Sequence, residues 1–331
     1  MKSDDLVARV ENAIKLQDYQ LAEKLAEKLV EAQPDIADIH LLLGNIYTKS
    51  SKPDSAMKEY RRAIELKPNN PEAYNNLGVL YRQRKQLDKA AVALEQALKL
   101  SPNRADICYN LGNVYKQQEK YDSAEEYYRK AIELDPSFVL SYNNLGTVYD
   151  KKGQYDKAAK TYSEGLQIDA NHPTLNYNRG VVFDRLGKLD NAFNDFSKAL
   201  KSKPDWVEGM NNLGVILQKQ KKDQDALSVF KNILSIDPKN FQARNNIGVI
   251  LTSRGEMEEA ERYYREALQV NPSYQRAALN LGELHQEKGQ HKDAINELLN
   301  IIKNDPENID AHLLLGKVYI SSGHYLEAYE N

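Results

Sequence analysis

The chain has one cysteine, Cys108, so no internal disulfide can brace it. It has no run of 18 apolar residues, which excludes an ordinary membrane-spanning helix. A dominant charge is also missing. Lys and Arg number 45 against 48 Asp and Glu, and a net charge of -3 offers no overall attraction for nucleic acid or anionic lipid. No Gly/Ser-rich or low-complexity stretch interrupts the chain, so no linker is expected. Residues 1–5 carry no secretory leader, and a cytoplasmic setting is expected. The histidines are His40, His172, His285, His291, His312 and His324; no two stand at i, i+4, and no Cys/His cluster has metal spacing. No Gly-rich phosphate loop is present either. With no constellation for nucleophilic or acid–base chemistry, the expectation is a chain that is not an enzyme by itself, with no metal and no cofactor.

What is present is a period. Gly44, Gly78, Gly112, Gly146, Gly180, Gly214, Gly248, Gly282 and Gly316 follow one another at intervals of 34 residues without insertion or deletion. An alanine stands 12 residues after each, from Ala56 to Ala328. A strict period of this length means a solenoid of stacked units, in which the functional question moves from chemistry to surface. With the glycine as position 8, units begin at Ala37, Pro71, Ala105, Val139, Pro173, Val207, Phe241, Gln275 and Ile309. Apolar residues at positions 4, 7 and 11, as in Tyr74, Leu77 and Tyr81, make one face of a first helix, A. Position 24 of the second helix, B, is often aromatic: Tyr60, Tyr128, Tyr162, Phe196, Phe230, Tyr264. Glycine inside a helix costs roughly 1 kcal/mol against alanine, so its recurrence implies close approach of A and B. Gly153, Gly187, Gly255 and Gly289 mark the end of helix A, and prolines from Pro68 to Pro306 follow helix B. Only Gly165 and Gly209 fall outside these roles, inside predicted helices.

These features resemble the tetratricopeptide repeat family along nearly the whole chain. The resemblance implies an all-α, right-handed superhelical solenoid of antiparallel helix pairs, with about nineteen or twenty helices in ten units. Residues 1–36 fit a degenerate N-terminal capping unit in which Val10 replaces the glycine and Arg9 the leucine. Residues 37–308 make eight full units, and 309–331 a ninth that stops in helix B, as if a longer protein had been cut there.

The resemblance also assigns the concave surface to helix A positions 2, 5, 6, 9, 12 and 13. Position 6 is asparagine in seven successive units: Asn76, Asn110, Asn144, Asn178, Asn212, Asn246 and Asn280. The row is similar to the asparagine ladder in the repeat region of O-linked N-acetylglucosamine transferases. An asparagine amide offers a donor and an acceptor, which matches a peptide backbone. Position 5 adds Asn75, Tyr109, Asn143, Tyr177, Asn211 and Asn245, either as pockets between the rungs or as packing between neighbouring helices. Bases at positions 12 or 13 run from Lys49 and Arg82 through Lys116, Lys151, Arg185 and Lys219, opposite first-turn acids Asp38, Glu72, Asp106 and Glu208. This pattern satisfies the helix dipoles and would also favour an acidic partner. Position 5 is never lysine, so the family's clamp for a chaperone C-terminus is absent.

The function expected is a non-catalytic scaffold that binds an extended or disordered segment of another protein, with no nucleic acid or membrane partner. The alternative is the substrate-recruiting part of a larger enzyme, such as a glycosyltransferase, with its catalytic domain beyond residue 331. An uncapped C-terminal end would also favour self-association.

Overall fold

The computed structural model of the chain describes residues 3–324 and 328. All regular structure among them is helical, in nineteen helices. They fall into two compact units. The first, Met1–Ala170, holds α1 (Ser3–Lys15), α2 (Tyr19–Ala32), α3 (Ala37–Lys49), α4 (Pro53–Leu66), α5 (Pro71–Gln83), α6 (Leu87–Leu100), α7 (Ala105–Gln117), α8 (Tyr121–Leu134), α9 (Val139–Lys151) and α10 (Tyr155–Ile168). The second, Asn171–Asn331, holds α11 (Pro173–Arg185), α12 (Leu189–Ser202), α13 (Val207–Lys219), α14 (Asp223–Ile236), α15 (Phe241–Ser253), α16 (Met257–Val270), α17 (Gln275–Glu287), α18 (His291–Asn304) and α19 (Ile309–Ser321). Within each unit each helix packs on its neighbours in the chain, from α1 to α10 and from α11 to α19. The chain end at Asn331 lies outside the described residues, as do Met1 and Lys2.

The helix pairs form where the repeat places small and large residues against each other. Ala56, Ala90, Ala124, Ala158, Ala192, Ala226, Ala260 and Ala294 are completely buried, and so are the rings of Tyr128 and Phe230. The position-24 side chain lies against the glycine of helix A, where a Cβ on Gly112 would sit 2.6 Å from Tyr128 Cδ1. The degenerate first unit also folds as a helix pair. Val10 takes the glycine's place, fully buried among Leu6, Ala13, Ala22 and Leu25. Cys108 is buried, and burial pushes its thiol pKa up. His285 is buried too, between Arg265 and Gln290.

Each A-to-B turn closes the same way. The residue at position 15 takes a left-handed conformation, and the next N–H reaches back five residues, as Lys222 N to Leu217 O at 2.9 Å. Glycine fills this place at Gly153, Gly187, Gly255, Gly289 and Gly323, but Ser51, Lys85, Glu119 and Lys221 hold it with φ of 58° to 60°. For an L-residue the left-handed region costs about 1–2 kcal/mol. Lys221 is exposed and has no ion pair. Lys221→Gly is therefore expected to stabilise the chain by about 0.5–1 kcal/mol, after the greater entropy of unfolded glycine is subtracted. A raised urea midpoint at constant slope would show it; an unchanged or lowered midpoint would mean that the turn carries no such cost.

Candidate functional site

The ladder asparagines are half-buried, and the amides of Asn76, Asn110, Asn144, Asn212 and Asn280 are engaged with an earlier unit. In the first compact unit Asn76 Nδ2 donates to Asn45 Oδ1 at 2.8 Å, and Asn110 Nδ2 to Asn75 Oδ1 at 2.9 Å. Asn144 Nδ2 donates to Asn113 Oδ1 at 2.8 Å and to the Tyr109 hydroxyl at 3.2 Å. In the second, Asn212 Nδ2 donates to the Tyr177 hydroxyl and Asn280 Nδ2 to Asn245 Oδ1, both at 2.8 Å. Each donor thus ties one helix A to the helix A 31 or 35 residues earlier. Asn178 is half-buried on α11.

The acceptor side differs from rung to rung. Asn76 Oδ1 accepts from Asn75 Nδ2, and Asn246 Oδ1 from Asn245 Nδ2, each at 3.3 Å. Asn144 Oδ1 accepts from Lys116 Nζ at 3.0 Å and from Asn143 Nδ2 at 3.5 Å, so this rung has donors and acceptor both engaged. Among the described residues, Oδ1 of Asn110, Asn212 and Asn280 has no partner. These half-buried oxygens are the open hydrogen-bonding groups of the row.

Position 5 is mainly a joint between neighbours. Asn75 and Asn245 are buried, and each accepts from the next rung. Asn211 Nδ2 donates to Val207 O of its own helix. Tyr109 lies against Phe138 at 4.9 Å between ring centroids, and Tyr177 against Trp206 at 4.4 Å. The Tyr177 hydroxyl donates to Glu208, and burial together with that carboxylate raises its pKa. Between packing and pocket, packing dominates for both tyrosines.

The basic row separates into different environments. Lys219 Nζ lies 2.5 Å from Asp184 Oδ1. Lys49, Lys151 and Arg185 are exposed. Arg82 and Lys116 are half-buried and face no carboxylate. Among the opposing acids, Asp106 is held by Arg104 through bonds of 2.7 and 2.6 Å, which keep its carboxyl below the usual range.

Family models of the tetratricopeptide repeat match residues 105–138 and 241–274, 44–83, 80–119 and 148–187, 127–160, and 177–241 and 279–330. The chain belongs to the tetratricopeptide repeat family. A repeat array of this kind is a protein-interaction scaffold. Similar solved structures include the MamA protein, 27% identical with a TM-score of 0.47 over 51% of this chain and 92% of that one. Another is YrrB, described as a TPR protein with an unusual peptide-binding site, at 23% identity and a TM-score of 0.48 over 59% and 97% of the two chains. Yeast Tom70, at 15% identity and a TM-score of 0.53, covers 99% of this chain and 90% of its own, a likeness of fold alone. Among curated proteins none matches.

The tetratricopeptide array has a second row that the position-6 pattern did not reveal. The position-24 tyrosines extend their hydroxyls through the helix pair towards the ladder. Tyr60 donates to Asn45 Oδ1 and Tyr128 to Asn113 Oδ1, both at 2.8 Å, and these are the oxygens that receive Asn76 and Asn144. The Tyr264 hydroxyl meets Thr252 Oγ1 at 3.1 Å, and burial pushes its pKa up to about 12. The available signal was tyrosine rather than phenylalanine at position 24 with a polar residue at position 9 or 12. Among the described residues no group of three or more His, Cys, Asp or Glu is placed to hold a metal ion. No described helix is long and apolar enough to cross a membrane.

Proposed function

We propose that the array is a non-catalytic scaffold that holds an extended segment of another protein along the ladder face of its A helices. The observation that carries this reading is the unpartnered acceptor oxygen on half-buried rungs of each compact unit, Asn110 in the first and Asn212 and Asn280 in the second. An acceptor half withdrawn from water gains most from a donor, and backbone N–H groups recur along any extended chain whatever its side chains. Because the Nδ2 groups of Asn110, Asn212 and Asn280 already bond within the array, these rungs act mainly as acceptors rather than as two-way amide clamps.

A photoreactive side chain placed at Asn110 or Asn212 is expected to cross-link a partner segment, while one at Val92, exposed on α6, is not. The captured segment then serves as the titrant. Losing one hydrogen bond of about 0.5–1.5 kcal/mol corresponds to roughly two- to tenfold weaker binding for Asn110→Ala or Asn212→Ala. Asn75→Ala removes the same inter-unit bond as Asn110→Ala but leaves the rung in place, and separates loss of contact from loss of stability. Unchanged affinity in a folded Asn110→Ala/Asn212→Ala variant would move the partner to another surface.

A further inference from the structure

Two cations in the first compact unit lie among polar groups with no carboxylate beside them. Arg82 is in the last turn of α5, and Lys116 occupies the same place in α7, 34 residues later. Three basic groups elsewhere at this depth are matched by carboxylates. Lys152 bonds Asp122 and Glu125 at 2.7 Å, Lys288 bonds Glu261 at 2.9 Å, and Arg179 bonds Asp195 at 2.7 Å. Arg82 Nε, in contrast, is buried with no hydrogen-bond partner. Lys116 Nζ has only the neutral Oδ1 of Asn144, at 3.0 Å.

The two charges share one locality. α5, which carries Arg82, packs on α7, which carries Lys116, and Arg82 acts electrostatically on both the Lys116 ammonium and the Tyr128 phenol. Tyr128 donates to Asn113, Asn113 accepts from Asn144, and Asn144 accepts from Lys116, a chain of polar contacts that ends at the ammonium. Withdrawal from water, and then repulsion by Arg82, lower the Lys116 pKa. The nearby acid Asp106 is already held by Arg104. Two like charges partly removed from water, with no counter-charge in the chain, are an unfavourable pair that one anion between them would relieve. The guanidinium offers a fork of donors, and lysine has two further donors while it keeps Asn144.

We propose that Arg82 and Lys116 form an anion subsite that receives a carboxylate or phosphate side chain of the strand on the ladder. This rests on the strand-binding reading of that face, and it places a negative residue of the partner between the rungs Asn110 and Asn144.

The subsite is tested without the partner, by titrating the whole chain with inorganic phosphate and with acetate while following the arginine Nε–Hε NMR resonances. The expected result is a saturable shift at Arg82 that sodium chloride of equal ionic strength does not reproduce. Lys116→Gln should weaken saturation at Arg82 roughly tenfold or more, as loss of a charge-assisted bond implies. Lys160→Gln, at a side chain 80% exposed on α10, should leave it unchanged. Saturation by phosphate alone assigns a phosphorylated side chain, and saturation by acetate assigns a carboxylate. A linear response to both anions, or saturation that survives Lys116→Gln in a folded chain, overturns the subsite. If it fails while Asn110→Ala still weakens the captured segment, the strand reading stands without an anionic contact.

Discussion

Arg179→Leu is expected to destabilise α11 and α12 by about 3–5 kcal/mol, the usual effect of removing one partner from a buried ion pair. The position is leucine or isoleucine in most other units, so by the repeat pattern alone the change would look like a repair. The structure reverses that expectation. Arg179 Nε and Nη2 grip Asp195 Oδ2 and Oδ1, both at 2.7 Å, and Asp195 is only 2% exposed. Leucine would leave that carboxylate buried without its cation. Arg179→Leu/Asp195→Val should recover most of the loss, because a hydrophobic replacement of both partners is often neutral or better. Valine already stands at the equivalent place as Val229. Hydrogen exchange across Pro173–Ser202 reports the effect locally, which suits an array whose units need not melt together. Equal loss in the single and double variants would assign the effect to packing rather than to the orphaned charge.

Gly146→Leu should cost about 1–3 kcal/mol through overpacking, and at the upper end of that range. A Cβ at Gly146 would overlap the Tyr162 ring, at 2.6 Å from Cζ and 2.7 Å from Cδ1. That ring cannot withdraw, being 2% exposed with its hydroxyl 3.3 Å from Thr147 Oγ1. Gly282 provides the contrast. A Cβ there would lie 3.2 Å from Leu298 Cδ2, the end of a side chain that can rotate. Gly282→Ala should be neutral or stabilising, since alanine recovers up to about 1 kcal/mol of helix propensity. Thermal melts of Gly146→Leu and Gly282→Ala shifting together would refute the close-approach account.

Periodicity reveals what repeats and hides what compensates. The glycine-against-ring packing and the helix ends were legible because one residue type at one position has one physical meaning. Ser51, Lys85, Glu119 and Lys221 were not legible as left-handed, since the surrounding helix pair, not the residue, imposes that conformation. Arg179 and Asp195 each depart from the pattern, and only their separation of 16 residues, across one helix pair, would have suggested that the departures belong together. The ladder was readable as a row of amides but not in its polarity. Which group receives a rung's Nδ2 depends on what stands 31 or 35 residues earlier, and that is asparagine in one unit and tyrosine in another. The basic row likewise looked uniform, although Lys219 reaches Asp184 while Lys116 reaches only an amide.

The amide bonds between consecutive A helices have a mechanical meaning. A bond from Asn110 to Asn75, or from Asn280 to Asn245, exists only while two neighbouring units are seated against each other. Each of these rungs is therefore also a rivet between two repeats, and the surface proposed to hold a strand is one that resists bending between adjacent repeats. Changing a rung to alter specificity loosens the local joint as well. On the proposed reading, affinity and rigidity would be tuned by the same side chains, as at Asn110 and Asn280, where the oxygen is unpartnered and the nitrogen bonds the neighbour.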